Sequence, residues 1–167
     1  MYCLAREDRG NVWLGVAGLV ENYKGEWLVV KKRYGGLHGR WSLPAGFVNR
    51  NETVDQAVLR EVKEETGVSA TVLKMIGFRS GVIQNETSDN MAIFLLSPIE
   101  KEPILQAQLS ELYEVIWAHP SKLIKDSDAS VMLHELAKKT IDDGFRTIEG
   151  INPGDVFGYT SYKLFIK

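Results

Sequence analysis

The chain has 167 residues, 44% of them apolar and 25% charged, which is enough for the core of one domain and excludes a disordered or fibrous chain. Its formal net charge of −2 supplies no basic field for nucleic acid, so any phosphate must be recognised locally. A single cysteine, Cys3, excludes an intramolecular disulfide and the Cys-rich metal frameworks, and points to the reducing cytoplasm.

The apolar run Val12 to Val20 is broken by Gly15 and Gly18 and preceded by Arg6, Glu7, Asp8 and Arg9. It is shorter than the about 20 residues a bilayer span needs and lacks the charge order of a secretory signal, so no membrane association is expected. Val12 to Leu19 and Glu26 to Lys32 read as strands. Asn22, Tyr23, Lys24 and Gly25 between them carry turn chemistry, so the two strands read as an antiparallel hairpin. Arg33 to Arg40, with Gly35, Gly36 and Gly39, reads as a mobile loop leading into an extended piece from Trp41 to Pro44.

A helix is predicted next. Thr53 with Gln56 three residues later forms a capping box, and Gly67 suits the left-handed residue that ends a helix, so its limits are about Thr53 and Thr66. Glu61, Glu64 and Glu65 fall within one arc, beside an apolar stripe of Val58, Leu59 and Val62. Like charges at that spacing repel. Lys63 and Gln56 lie on the far side, whereas Arg60 flanks the arc with Glu64 one turn ahead. A Glu-rich helix is ordinarily a solvated face, but carboxylates at the edge of a core also suit a hard divalent cation.

Beyond the helix, Ala70 to Phe78 and Asn90 to Pro98 read as strands joined through Gln84 to Asp89. Tyr113 to Ala118 reads as another, closed by His119-Pro120. Asp128 to Ile141, with Val131, Met132, Leu136 and Ile141, reads as a second amphipathic helix stopped near Gly144. In the tail from Thr147, Asn152-Pro153-Gly154 is a turn signal and Tyr159 to Ile166 a terminal strand. Phe157, Tyr159, Tyr162 and Phe165 make this tail aromatic enough to pack on the domain or, in a homodimer, on a second copy. The mixed order of elements predicts an α+β fold, an α/β/α sandwich around a mixed β-sheet in one domain, with a core of about residues 12–141 and a tail at 147–167.

Gly46, five residues, Glu52, seven residues, then Arg60-Glu61-Val62-Lys63-Glu64-Glu65-Thr66-Gly67-Val68 resembles the Nudix box of the Nudix hydrolases at every defining position. At a background of about 7% per residue type, its seven required identities would coincide by chance with a probability on the order of 10⁻⁸ per starting point. Trp41-Ser42-Leu43-Pro44-Ala45-Gly46 is similar to the family's lead-in to the box, and the likeness covers most of Val12 to Ile141.

The resemblance implies the Nudix sandwich, and it implies that Glu61, Glu64 and Glu65 bind magnesium or manganese, helped by the backbone carbonyl of Ala45. It also implies that Glu52 and Arg60 brace loop and helix, with Gly46 and Gly67 completing the motif. The family more often has glycine where Ala45 stands, and alanine disfavours positive φ. The implied reaction is metal-dependent hydrolysis of a diphosphate linkage by attack of water on phosphorus.

The general base remains open between a box glutamate, Glu61 or Glu64, and a later carboxylate. Of the later pair, Glu111 is favoured as a helper, while Glu114 reads as a plain loop acid. Arg40 and Arg79 are the pair expected to meet substrate phosphates, ahead of Lys31, Lys32 and Arg33. Tyr34, Trp41 and Phe78 suit either a stacked base or the core. His38 sits in the Gly-flanked loop, and His119 and His134 read as structural.

Residues Gly77 to Asp89 contain no proline, which disfavours the ADP-ribose branch of the family. A nucleoside di- or triphosphate, or a related nucleotide derivative, is the expected substrate. ADP-ribose or another nucleotide sugar is the alternative, and a 5′-triphosphorylated RNA end a further, less favoured one. A catalytically silent Nudix nucleotide-sensing module is the alternative of another class; because all box acids are retained, an enzyme is expected.

Overall fold

The computed structural model describes residues 10–139, 141, 143–152, 154 and 159–166. Cys3, Arg6 to Arg9, Thr140, Pro153 and Phe157 therefore lie outside the described residues. Through the first helix the elements run β1 (Val12–Val20), β2 (Trp27–Lys32), β3 (Trp41–Ser42), β4 (Ala45–Phe47) and α1 (Val54–Thr66). They continue with β5 (Ala70–Ile83), β6 (Thr87–Pro98), β7 (Leu112–Ala118), α2 (Pro120–Leu123), α3 (Val131–Ala137), β8 (Arg146–Ile148) and β9 (Leu164–Ile166).

Two sheets form the centre. In the mixed sheet β4-β1-β6-β5, β1 runs parallel to β6 and the other pairings are antiparallel. The second sheet, β3-β2-β7, is antiparallel throughout. Alternation sorts the side chains of each strand into two apolar layers. Val16, Val20, Leu28, Phe94 and Leu96 pack with Val58 and Val62 of α1. Ala17, Leu19, Val29, Trp41, Leu43 and Ile93 pack with Leu123 of α2 and Leu133 of α3. The result is the expected α/β/α sandwich. Gly18 sets how close α1 comes, because a Cβ there would lie 2.8 Å from Val62 and 3.1 Å from Val58.

The expected β1–β2 hairpin does not form. Its turn chemistry is present: Asn22 Oδ1 accepts from the amides of Lys24 at 2.9 Å and Glu26 at 3.0 Å. A single bridge, Glu21 to Trp27, follows, and the strands then part into different sheets. Both edges of β1 are occupied, by β4 and β6, so no edge is left for β2. The loop from Arg33 to Arg40 contains a 3-10 turn at Gly35–Leu37 and is closed at its ends by hydrogen bonds between Lys32 and residues 39 and 40.

Helix α1 has the expected limits, with Gln56 accepting from the Thr53 amide at 3.0 Å and Gly67 at φ 77. Helix α3 is shorter than expected. Asp128 and Ser130 exchange backbone hydrogen bonds with Trp41, which keeps this stretch out of the helix until the Ser130 hydroxyl caps it. Gly144 does not stop a helix; it passes against β5, where a Cβ would lie 2.7 Å from the Met75 carbonyl. The β5–β6 pair is longer than expected and turns on Gln84 and Asn85, at φ 52 and 60. The terminal strand shrinks to β9, paired with β8. Among the described residues no helix is long and apolar enough to cross a membrane.

Candidate functional site

Arg60 is the hub on the α1 face. Its Nε and Nη2 donate to the two Glu52 oxygens at 2.9 and 2.6 Å, and Nη2 also donates to the Phe47 carbonyl at 3.0 Å. Its Nη1 donates to Glu61 at 2.6 Å and Glu64 at 3.0 Å. One planar guanidinium thus closes the loop between β4 and α1 onto the helix, a geometry a lysine could not reproduce. The Arg60 hydrogen bond holds the Glu52 carboxyl below the usual carboxylate range despite burial, and the Asn49 amide helps. In return Glu52 and Glu61 hold the Arg60 guanidinium above its ordinary value. Gly46 faces Glu61 so closely that any Cβ would overlap the carboxyl group.

Glu65 lies deeper, with 1% of its surface exposed. Burial raises its carboxyl above the ordinary value, against the pull of the Lys32 ammonium and the Ala45 amide. Lys32 donates to Glu65 Oε1, and Ala45 N donates to Oε2 at 3.2 Å. Sequence reasoning missed the Lys32–Glu65 pair. Its only signal was a lysine ending an otherwise buried strand, Trp27–Lys32. Ala45 is not among the non-glycine residues at positive φ, which are Gln84 and Asn85 in the described residues. It sits in β4 opposite Ala17, so alanine brings no backbone strain there.

The acids are paired with bases, not with one another. Glu61 and Glu64 share Arg60, Glu65 takes Lys32, and among the described residues no three Asp, Glu, His or Cys side chains converge as a ligand set. The donor chemistry nevertheless suits a divalent cation. Four carboxylates, Glu52, Glu61, Glu64 and Glu65, face two cations, Arg60 and Lys32, leaving two formal negative charges. Their oxygens are the hard donors that magnesium prefers.

The C-terminal end of α1 draws a second carboxylate-bearing loop towards these acids. The carbonyls of Glu65 and Thr66, which no helical amide reaches, accept from Gln108 N at 3.1 Å and Gln106 N at 2.8 Å. The loop ends on Glu111, whose carbonyl accepts from Arg33 N at 2.9 Å. Arg33 also donates to Leu109 O at 2.7 Å and lies 4.9 Å above the Tyr113 ring. Burial and a hydrogen bond to Glu111 raise the Tyr34 hydroxyl, which also feels the charge of Glu65. Glu114 is exposed on β7 opposite Lys31.

Arg40 and Arg79 come together on the opposite face. Both line a cavity of about 840 Å³ with Phe78, Ile93, Met132 and Leu136, bordered by Glu135 and Lys139. Each already has one acceptor: Asp89 for Arg79 at 2.6 Å, and the Ser127 carbonyl for Arg40 at 3.2 Å. Phe78 is 59% exposed, whereas Trp41 is buried in the core with the Lys31 ammonium 5.3 Å from its ring. Ala45, Ala17, Ile93 and Gly77 stand in one row across the sheet. Two strand spacings, about 10 Å, therefore separate the Glu65–Ala45 contact from the cavity wall at Ile93. His38 meets Tyr113 at 3.2 Å, His119 caps α2 and His134 meets the Asp126 carbonyl at 2.8 Å.

The sequence pattern of the NUDIX domain matches residues 12–138. Nudix hydrolase 8 of Arabidopsis thaliana is 39% identical over 97 residues, 56% of this chain and 26% of that protein. An ADP-ribose pyrophosphatase of Methanocaldococcus jannaschii is 39% identical over 67 residues, 40% of this chain and 39% of that protein. The chain thus spans well under half the length of these curated relatives. Among solved structures, a MutT protein from Methanosarcina mazei Go1 superposes with a TM-score of 0.63 at 22% identity, covering 76% of this chain and 91% of that one. At that identity the likeness is one of fold.

Proposed function

The chain belongs to the NUDIX domain family, and on that premise we propose that it hydrolyses a diphosphate linkage in a nucleotide derivative by attack of water on phosphorus. Glu61, Glu64 and Glu65, with the Ala45 carbonyl, would hold magnesium or manganese. The observation that carries this reading is the excess of two negative charges around Arg60 and Lys32, in one sheet row with an apolar cavity. When bound, such a cation supplies neutralisation of the diphosphate and a water of lowered pKa.

The chain's own residues do the rest. Arg60 keeps Glu61 and Glu64 oriented at the surface end of the cluster, and Glu52 holds Arg60. Pre-orientation of this kind lowers the barrier because no reorganisation is needed as charge develops. Glu111, at the end of the loop that the Glu65 and Thr66 carbonyls hold, is the proton acceptor we assign outside the box, with Glu61 or Glu64 as the acceptor within it. Arg40 and Arg79 flank the phosphates, and Phe78 offers an exposed ring for the base.

The favoured substrates are nucleoside di- and triphosphates, supported by the absence of proline from Gly77 to Asp89. ADP-ribose is the second reading, supported by the likeness to the Methanocaldococcus jannaschii enzyme. The single cysteine supports a cytoplasmic setting. A panel of nucleoside di- and triphosphates, ADP-ribose, nucleotide sugars and 5′-triphosphorylated RNA, assayed with magnesium and with chelator, tests the proposal. Magnesium-dependent release of phosphate or nucleotide from at least one member is expected. Nucleotide binding without turnover across the panel overturns it in favour of a sensing module.

A further inference from the structure

The tail beyond residue 138 lies outside the NUDIX match, yet it is tied to the helix that carries the box acids. Lys163 Nζ lies 2.5 Å from Asp55 Oδ2 in the first turn of α1 and 2.9 Å from Glu149 Oε1. The Lys163 and Asp55 side chains are only 14% and 12% exposed. Burial alone would push Asp55 up and Lys163 down, but the pairing wins, with Asp55 below and Lys163 above its ordinary value. Separating such a pair leaves a buried charge uncompensated, which holds both partners in place. Two further contacts set the tail beside the box. Phe165 packs edge-on to Phe94 at 5.5 Å in the layer beneath α1, and Tyr159 to Ser161 face Glu52 and Thr53 across a cavity of about 510 Å³.

The lysine is not the sole hold on Asp55. An acid in the first turn of a helix is favoured by the helix dipole and the free amides, so the lysine's distinctive effect is on the tail and on what Asp55 touches. The Thr53 hydroxyl donates to Asp55 at 2.6 Å, Thr53 follows Glu52 in the chain, and Glu52 holds Arg60 at 2.6 and 2.9 Å. Arg60 in turn holds Glu61 and Glu64. A continuous chain of contacts therefore runs from the tail to the acids.

We propose that the C-terminal tail is a positioning strap: Lys163, acting through Asp55 and Thr53, fixes the loop that carries Glu52 so that Arg60 presents Glu61 and Glu64 in one arrangement. Lys163 is thus a positioning residue. Its effect on turnover rests on the hydrolase reading, whereas its effect on Arg60 does not.

The test compares Lys163→Met, Lys163→Arg and a control, Leu123→Val, in the buried layer on the far side of the sheet. The readouts are the NMR signal and proton exchange of Arg60 Nε–H, and kcat and KM on any substrate the panel supplies, all at a temperature where every variant is folded. Lys163→Met should shift the Arg60 signal, speed its exchange and lower kcat about tenfold with little change in KM, the pattern of a small misplacement. Lys163→Arg should restore both, and Leu123→Val should leave Arg60 as in the wild type. An Arg60 signal unmoved by Lys163→Met, or moved equally by Leu123→Val, overturns the strap. If the wild type turns over nothing, the hydrolase reading falls while the Arg60 signal still decides the strap. Should Lys163→Met fail to fold, Lys163→Gln, which keeps a donor without the charge, is read in the same way.

Discussion

Helices α1 and α3 lie on opposite faces of one sandwich, each begun by a hydroxyl residue, Thr53 and Ser130. Around α1 four carboxylates crowd two cations, and each of the four is held by a named donor. Beside α3 the wall of the cavity is mostly apolar, with Arg40, Arg79, Glu135 and Lys139 as its charged lining. The difference teaches a division of labour that physics favours. Charge is effective only when held in fixed geometry, whereas an apolar cavity works by shape and admits variation.

The comparison breaks or sharpens with substitutions on each face. Glu64→Gln is expected to lower kcat on the order of 10²–10³, with thermal melting almost unchanged because the side chain is 52% exposed. Wild-type turnover in this variant and in Glu65→Gln would sink the metal assignment. Leu133→Ala, on the α3 side and fully buried, should do the reverse. It should cost about 2–5 kcal/mol in denaturant unfolding, with kcat per folded molecule close to wild type. Phe78→Ala should raise KM about tenfold with little change in kcat if its ring stacks on a base; an unchanged KM would remove the base from this cavity.

The smallest effect is on acid stability. Arg60 holds the Glu52 carboxyl below its ordinary value, so the stability Glu52 contributes is complete above the unfolded carboxylate pKa of about 4.3 and is lost as pH falls through the folded value. Glu52→Gln should therefore flatten the acid limb of a melting-temperature profile below about pH 4. An identical acid limb in the variant would show that this pair adds nothing to folding. Glu65 runs the other way: its raised carboxyl contributes stability at low pH that is lost as pH rises through the folded value.

How much of this was legible in advance follows from the range of each interaction. The arc of Glu61, Glu64 and Glu65, the flanking Arg60 and the helix ends at Thr53 and Gly67 follow from contacts three or four residues apart, and the structure agrees with that reading. The helix expected from Asp128 begins only at Val131 because the residues before it are bound by the backbone of Trp41, distant in the chain. The hairpin of β1 and β2 was misjudged because a turn signal says that the chain reverses, not which strand it then joins.

Spacing alone therefore determined the first helix and the side of it on which the acids lie, since helical geometry converts sequence distance directly into spatial distance, whereas the box itself was legible only as a resemblance to a family motif. Only the tertiary structure decided that Lys32 meets Glu65 across 33 residues, that Lys163 meets Asp55 across 108, and that Arg40 and Arg79 share a cavity. Those choices depend on which strand edges and buried charges remain to be satisfied after the local elements have formed, and no short window of sequence contains them.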